Sequence, residues 1–313
     1  MWEVPIAFQG ELGAYSHEAI DEFGRLHGIT FRPVPTRDLD ALFETVSERT
    51  RLGIVPVENS SAGLVFSAID LILQNKMTIM GEQYLPIRHN LLGWRKAEKT
   101  NLEGKVVRSH WQALNQSRSF VSRVGLKPEE FYDTAGAAKS VSEMVGDARF
   151  NYFAIASAKA AQLYGLEIAA EAIQNNRMNT TRFLIVKPSN VKAGIEKKLI
   201  AEGRYKATIF CSVPPEQLWK VLKFVHDSGY LTYTLHSRPI EESENSERVF
   251  NRVFYLDVGI PNNSNRGYKE LRKNFSHFLE RTRKEVGGKI RPEENIRPFG
   301  FYPAGKIDLT KYQ

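Results

Sequence analysis

At 313 residues, with 42% apolar and 25% charged side chains, the chain has the composition of an ordinary globular protein large enough for two cores. Its single cysteine, Cys211, excludes an intrachain disulfide framework or thiolate metal cluster, and no stretch reaches the roughly 18 apolar residues of a membrane helix. The net charge of +7 comes from scattered lysines and arginines without interleaved aromatics, which argues against nucleic acid and suits either a small anion or simply solubility.

The opening MWEVPIAFQG has neither a basic leader nor a long apolar run, so a cytoplasmic location is expected. Residues 5–10 read as a strand. Ala19, Ile20, Phe23 and Leu26 then share one helical face, and Thr36 opens a second helix with Leu39, Leu42, Phe43 and Val46 inward. GIVPVENS (53–60) is a strand ending in turn residues, followed by a helix marked by Val65, Ile69, Ile72 and Leu73. This alternation predicts an α/β domain with a largely parallel sheet. A second α/β unit follows, with a strand at 105–108, helices from Ser109 and after Thr134, and a strand at 152–157. RFLIVK (182–187) is one more buried strand, and two such lobes would hold a ligand in the cleft between them.

The charged segment 187–204 reads as a linker, and beyond it the pattern changes. Strands at 207–213, 231–240 and 252–260 combine with a helix on Leu218, Val221, Leu222 and Val225 and a last helix on Leu271, Phe275 and Phe278. That βαββα order predicts a ferredoxin-like α+β module, with 241–248 as a polar hairpin connection.

Asn59-Ser60-Ser61, Ser109 and Thr134 stand at three expected helix starts. As N-caps they would simply satisfy backbone N–H groups; arranged around one cleft, the same helix ends would hold a dianion without a metal. Glu58 is a loop carboxylate if exposed and a proton donor if enclosed in an apolar cleft. His89, in IRHNL, is either a structural hydrogen-bonding group or part of the site. GELG (10–13) lacks the lysine and hydroxyl of a phosphate loop, and no histidine–cysteine pattern marks a metal site. NTTRFLIV (179–186) is the sharpest feature, because an arginine heading an apolar strand is costly to bury unless it meets an anion. Thr181 beside it can hydrogen-bond a hydroxyl held at the same place.

Taken together, FQGELGAYS (8–16), VPVENSSAG (55–63), IRHNL (87–91), SHWQALNQ (109–116), DTAGAA (133–138), AIASAKAAQLYGL (154–166), NTTRF (179–183) and FGFYP (299–303) resemble the prephenate dehydratase family over nearly the whole chain. The resemblance implies an α/β bilobed catalytic domain like type 2 periplasmic binding proteins, followed by an α+β ferredoxin-like ACT domain. It places the catalytic domain at 1–190 with its second lobe about 78–172, a linker at 191–204, the ACT domain at 205–303 and a tail at 304–313. It implies decarboxylative dehydration of prephenate to phenylpyruvate without a cofactor, with arogenate as the rival substrate, or a non-catalytic sensor as a further alternative. Thr181 would be essential and Glu58 its candidate proton donor. Asn59, Ser60, Ser109, Gln112, Thr134 and Arg182 would line the cleft, His89 would bind substrate, and Phe183 would pack. The implied partners are a small dicarboxylate, an amino-acid effector at the ACT domain and further copies of the chain in a dimer or tetramer. The catalytic lobe begins by Pro5, so a monofunctional enzyme is expected. Trp111 replaces the proline of the family's Ser-His-Pro-Gln motif, and Asn175 an aspartate. VPPEQLWK (213–220) and His236-Ser237-Arg238-Pro239 stand where the family carries its phenylalanine-binding elements, so both of those elements are altered.

Overall fold

The computed structural model describes residues 3–94, 101–200, 204–239, 252–260, 267–286 and 296–306, and the connection expected at 241–248 lies outside them. The chain divides into two compact units. The first contains the described residues up to Asn75, then Gln83–Val191 and Lys306; the second contains Lys76–Glu82 and the described part of Lys192–Gly305.

The first unit opens with β1 (Val4–Gln9), α1 (Tyr15–His27), β2 (Phe31–Thr36), α2 (Leu39–Thr45), β3 (Gly53–Asn59), β4 (Gly63–Leu64) and α3 (Phe66–Gln74), followed by β5 (Met77–Pro86), which crosses the unit boundary. β6 (Asn90–Gly93), β7 (Val106–Ser109), α4 (Trp111–Gln116), α5 (Arg118–Arg123) and β8 (Lys127–Glu130) come next. α6 (Thr134–Ser142), β9 (Tyr152–Ala156), α7 (Ala158–Tyr164), β10 (Glu167–Ala170) and β11 (Thr180–Pro188) complete it. One sheet has the order β2-β1-β3-β11-β5 with β4 on β3, the other β10-β6-β9-β7-β8. Both are mixed. β1 pairs parallel to β2 and β3, but β11 runs antiparallel to β3, and β6 antiparallel to β9 and β10.

Several local expectations shift for identifiable reasons. Thr36 ends β2 instead of opening a helix; Asp38 caps α2 by accepting from the Ala41 N–H at 2.8 Å. β2 escaped the periodicity because Pro33 and Pro35 interrupt it, and it occupies the edge of the sheet, where proline is tolerated. Leu26 is 55% exposed. The buried stripe of α1 runs through Ile20, Phe23 and Gly24, and a Cβ at Gly24 would meet the Ile29 carbonyl at 2.5 Å. The three expected N-caps are displaced as well. α3 begins only at Phe66, α4 is capped by His110 and α6 by Asp133, leaving Thr134 as its first residue.

The second unit contains β12 (Tyr205–Cys211), α8 (Leu218–Asp227), β13 (Leu231–Pro239), β14 (Arg252–Ile260), α9 (Tyr268–Val286) and β15 (Ile296–Pro303). Its antiparallel sheet has the order β13-β14-β12-β15, so FGFYP belongs to a fourth strand and the order is βαββαβ. Strand alternation sends Ala207, Ile209, Leu256 and Val258 into one core with Val221, Val225, Leu271, Phe275 and Phe278 of the helices. The other face carries Lys206, Thr208 and Asp257, all buried. Thr208 Oγ1 donates to Asp257 Oδ1 at 2.6 Å, and Lys206 Nζ lies 2.9 Å from Oε1 of Glu82.

Candidate active site

The β3–β11 ladder sets the first geometry. Thr181 opposes Asn59, and Arg182 opposes Glu58. Successive strand residues face opposite sides, so Asn59 and Thr181 share one face and Glu58 and Arg182 the other. The buried Arg182 guanidinium lies 3.8 Å from the Glu58 carboxylate. The anion that a buried arginine demands is therefore supplied within the chain. Phe183 is 2% exposed and packs, as expected for a strand interior.

On the Thr181 face the chain builds a cluster of amides. Asn59 Oδ1 accepts from the backbone N–H groups of Ser61 and Ala62, both at 3.0 Å, which folds 59–62 into a side-chain-stabilised turn. Its Nδ2 consequently points at Asn179 Oδ1 (2.8 Å) and Thr181 Oγ1 (3.0 Å). Asn179 Nδ2 donates to Gln116 Oε1 at 3.0 Å, and Gln116 Nε2 to Asn59 Oδ1 at 3.3 Å. His89 closes the group, with Nε2 2.9 Å from Gln116 Oε1 and Nδ1 2.8 Å from the Tyr15 hydroxyl. The segment before β11 wraps this cluster: Gln174 Oε1 accepts from the His89 N–H, and Ile173 donates to the His89 carbonyl.

Asn59, Asn179 and His89 are buried, whereas Thr181 is half-buried. Like the half-buried Gln116 and Tyr15, Thr181 is thus one of the members with access to a ligand, and its oxygen already accepts one hydrogen bond. Ser60 is exposed beside it, its hydroxyl accepting from the Thr180 N–H at 2.9 Å. Ser109 is fully buried at the end of β7 and donates to the Ile155 carbonyl at 2.6 Å, a strand-to-strand tie. Gln112 is half-buried one helical turn from Gln116, and Thr134 is half-buried at the start of α6. His236, Ser237, Arg238 and Pro239 lie on β13, one of the two edge strands of the second unit's sheet. Arg252 donates to Ser237 Oγ at 2.9 Å.

A second polar group joins the loop after β1 to α6 and α7. Asp133 Oδ2 accepts from the Glu11 N–H at 2.9 Å, its other oxygen caps α6 through Gly136, and burial raises its carboxyl above the usual range against the pull of those N–H bonds. Ser157 donates to the Gly13 carbonyl at 2.7 Å. A Cβ at Gly13, where φ is +93°, would lie 3.0 Å from Ala160 Cα. Gly13 of GELG therefore serves close approach of backbone to helix.

Burial holds the His89 imidazole neutral by lowering its pKa to about 4, against a raising hydrogen bond to Gln116. Folded His89 stays uncharged while the unfolded chain takes up a proton near 6.5, so this contribution is complete above 6.5 and lost as pH falls toward 4. Going from pH 7 to 4.5 should cost about 2–3 kcal/mol more in the wild type than in His89→Gln, read from urea midpoints. An equal loss in both proteins would place the acid sensitivity elsewhere.

Asn179, Gln116 and Tyr15 were not singled out from the sequence, although each lies inside or beside a motif stretch. Their only signal was a polar residue inside a motif stretch, and the contacts of the cluster span up to 122 positions, as between Asn59 and Thr181.

Residues 6–191 match the family model for prephenate dehydratase. Arogenate dehydratase/prephenate dehydratase 2 (chloroplastic) of Arabidopsis thaliana is 33% identical over 263 residues, covering 81% of this chain and 65% of that protein, so the chain spans just under two thirds of its length. The solved structure of GqqA, described as a novel type of quorum quenching acylase, has 28% identity and a TM-score of 0.70, covering 96% of this chain and 98% of that one. Prephenate dehydratase from Arthrobacter aurescens in complex with L-Phe shares the fold at 20% identity and a TM-score of 0.72, covering 97% of this chain and 90% of that one.

Proposed function

The chain belongs to the prephenate dehydratase family, and on that premise we propose that it converts prephenate to phenylpyruvate, carbon dioxide and water. In this reaction the electron pair of the breaking carbon–carboxylate bond enters the ring, the ring becomes aromatic, and hydroxide leaves from the opposite carbon. The driving force is in the substrate. The protein has to position a dianion and favour departure of the hydroxide.

The observation that carries the reading is the hydrogen bond from Asn59 Nδ2 to Thr181 Oγ1. With its oxygen accepting, Thr181 keeps its own proton for a ligand, and we assign that proton to the leaving oxygen, which becomes water by taking a proton from solvent. Ser60, Gln112 and Thr134, with the α6 N-terminus, are proposed to hold the carboxylates. Glu58, on the opposite face of the ladder, is assigned to supporting Arg182 in place of a role as proton donor.

The acylase described for the GqqA structure suggests a second reading, hydrolysis of an acylated amine. It would need a nucleophile whose proton is taken by an adjacent base. Thr181 instead receives a hydrogen bond, and the nitrogens of His89 are committed to Gln116 and Tyr15. This geometry favours dehydration.

An amino-acid effector in the C-terminal ACT-like unit is proposed from the L-Phe complex of the Arthrobacter aurescens protein. The altered stretches at 213–220 and 236–239 make phenylalanine itself the ligand to test. Comparing kcat/KM for prephenate, arogenate and an N-acyl amide, each with and without phenylalanine, separates the readings. Prephenate is expected to be preferred, and turnover of the amide alone would overturn the dehydratase assignment.

A further inference from the structure

We infer that His89 is a positioning residue for this reaction: a neutral imidazole protonated on Nε2 closes the far end of the amide chain, holding Gln116 and Asn179 against the Asn59 amide that donates to Thr181 and leaves its proton for substrate. The inference rests on the dehydratase reading for its kinetic consequence, but its geometry stands independently.

The directions of the hydrogen bonds follow from one end. Backbone N–H groups can only donate, so Ser61 and Ala62 fix the oxygen of the Asn59 side chain at the end where they bind it. The Asn59 amide nitrogen must therefore face Asn179 and Thr181. Since that nitrogen donates, the Asn179 atom 2.8 Å away is its oxygen, and the Asn179 nitrogen is the one turned to Gln116. The Gln116 atom that receives it is consequently an oxygen. His89 Nε2 lies 2.9 Å from the same oxygen and has to be the donor. A neutral imidazole protonated there presents a lone pair on Nδ1, which the Tyr15 hydroxyl can satisfy at 2.8 Å.

No link can be reversed alone. Turning the Gln116 amide over would set its nitrogen against the donors of both His89 and Asn179, and turning Asn179 would set two amide nitrogens face to face. At 2% exposure His89 has little water to replace a lost partner, so an unsatisfied group in this cluster is costly. Tyr15 has one proton and two acceptors, His89 Nδ1 and the Arg88 carbonyl, each at 2.8 Å. If that proton turned wholly to Arg88, the Nδ1 lone pair would face the Tyr15 oxygen unsatisfied unless His89 became a cation, which burial disfavours.

The test uses the full chain. In a 15N-histidine spectrum at pH 7, the signals missing from His89→Gln identify His89, and they should show a protonated Nε2 and an unprotonated Nδ1. With prephenate, His89→Leu should lose about tenfold to hundredfold in kcat with KM within about twofold, because Thr181 is misaimed while the ligand contacts stay. His89→Gln, which restores an N–H donor toward Gln116, should recover most of that loss. A cationic His89 or one protonated on Nδ1 would overturn the inference, as would a folded His89→Leu with wild-type kcat. If the wild type does not turn over prephenate, the dehydratase reading fails while the spectrum still decides the relay. If His89→Leu does not fold, the spectrum and His89→Gln kinetics decide it.

Discussion

Thr181→Ala will lower kcat for prephenate by about a thousandfold while leaving the fold intact, the loss typical when a single preorganised donor to a departing oxygen is removed. The fold should survive because Thr181 is half-buried near the start of β11, and its backbone pairing with Asn59 does not depend on the side chain. Removing the hydroxyl leaves Asn59 Nδ2 with Asn179 Oδ1 still in place, so the amide cluster persists around a missing donor. Thr181→Ser keeps the hydroxyl and should retain far more activity, at the expense of rotamer freedom. Steady-state kinetics with a thermal melt on each variant makes the comparison. A folded Thr181→Ala protein that turns over at nearly the normal rate would remove Thr181 from the mechanism.

Lys206→Met will destabilise the C-terminal unit by about 3–5 kcal/mol, the usual consequence of leaving a buried charge without its counter-ion. The Glu82 side chain is fully buried, its Oε1 lies 2.9 Å from Lys206 Nζ, and the same oxygen accepts from the Gly305 N–H at 2.9 Å. Methionine fills much of the lysine stem's volume, so the loss would come from the stranded carboxylate more than from a cavity. The double variant Lys206→Met with Glu82→Leu removes both charges and should regain a large part of the stability. Urea unfolding of the four proteins forms the cycle. Additive losses in the double variant would show that the two groups do not act as a pair.

The two variants fall on features that differ in how far the sequence exposed them. Thr181 sits in NTTRF, beside an arginine whose place at the head of an apolar strand already demanded an explanation. Glu82 and Lys206 gave no signal. They are 124 residues apart, and each reads as a surface charge until β5 carries Glu82 into the second unit. Some assignments moved for local chemical reasons. Asp133 and His110 took the caps expected of Thr134 and Ser109, because a helix start is set by which side chain reaches an N–H, and periodicity locates it only to within a residue or two. The strands β2 and β15 hid behind prolines that an edge position accommodates.

By itself the sequence determined the family and the α/β lobes with their C-terminal α+β module, and it marked the stretch around Thr181 and Arg182 as the candidate site. Those properties follow from local pattern: apolar period, turn chemistry and short motifs read along the chain. Only the tertiary structure decided that Arg182 meets Glu58 on one face of the ladder while Asn59 meets Thr181 on the other. It also decided that His89, Gln116, Asn179 and Tyr15 form one hydrogen-bonded group behind that threonine. The physical reason is that a hydrogen bond's direction depends on what each partner already donates or accepts. That chain of constraint starts at two backbone N–H groups and runs through side chains from five separate segments, which the fold alone brings together.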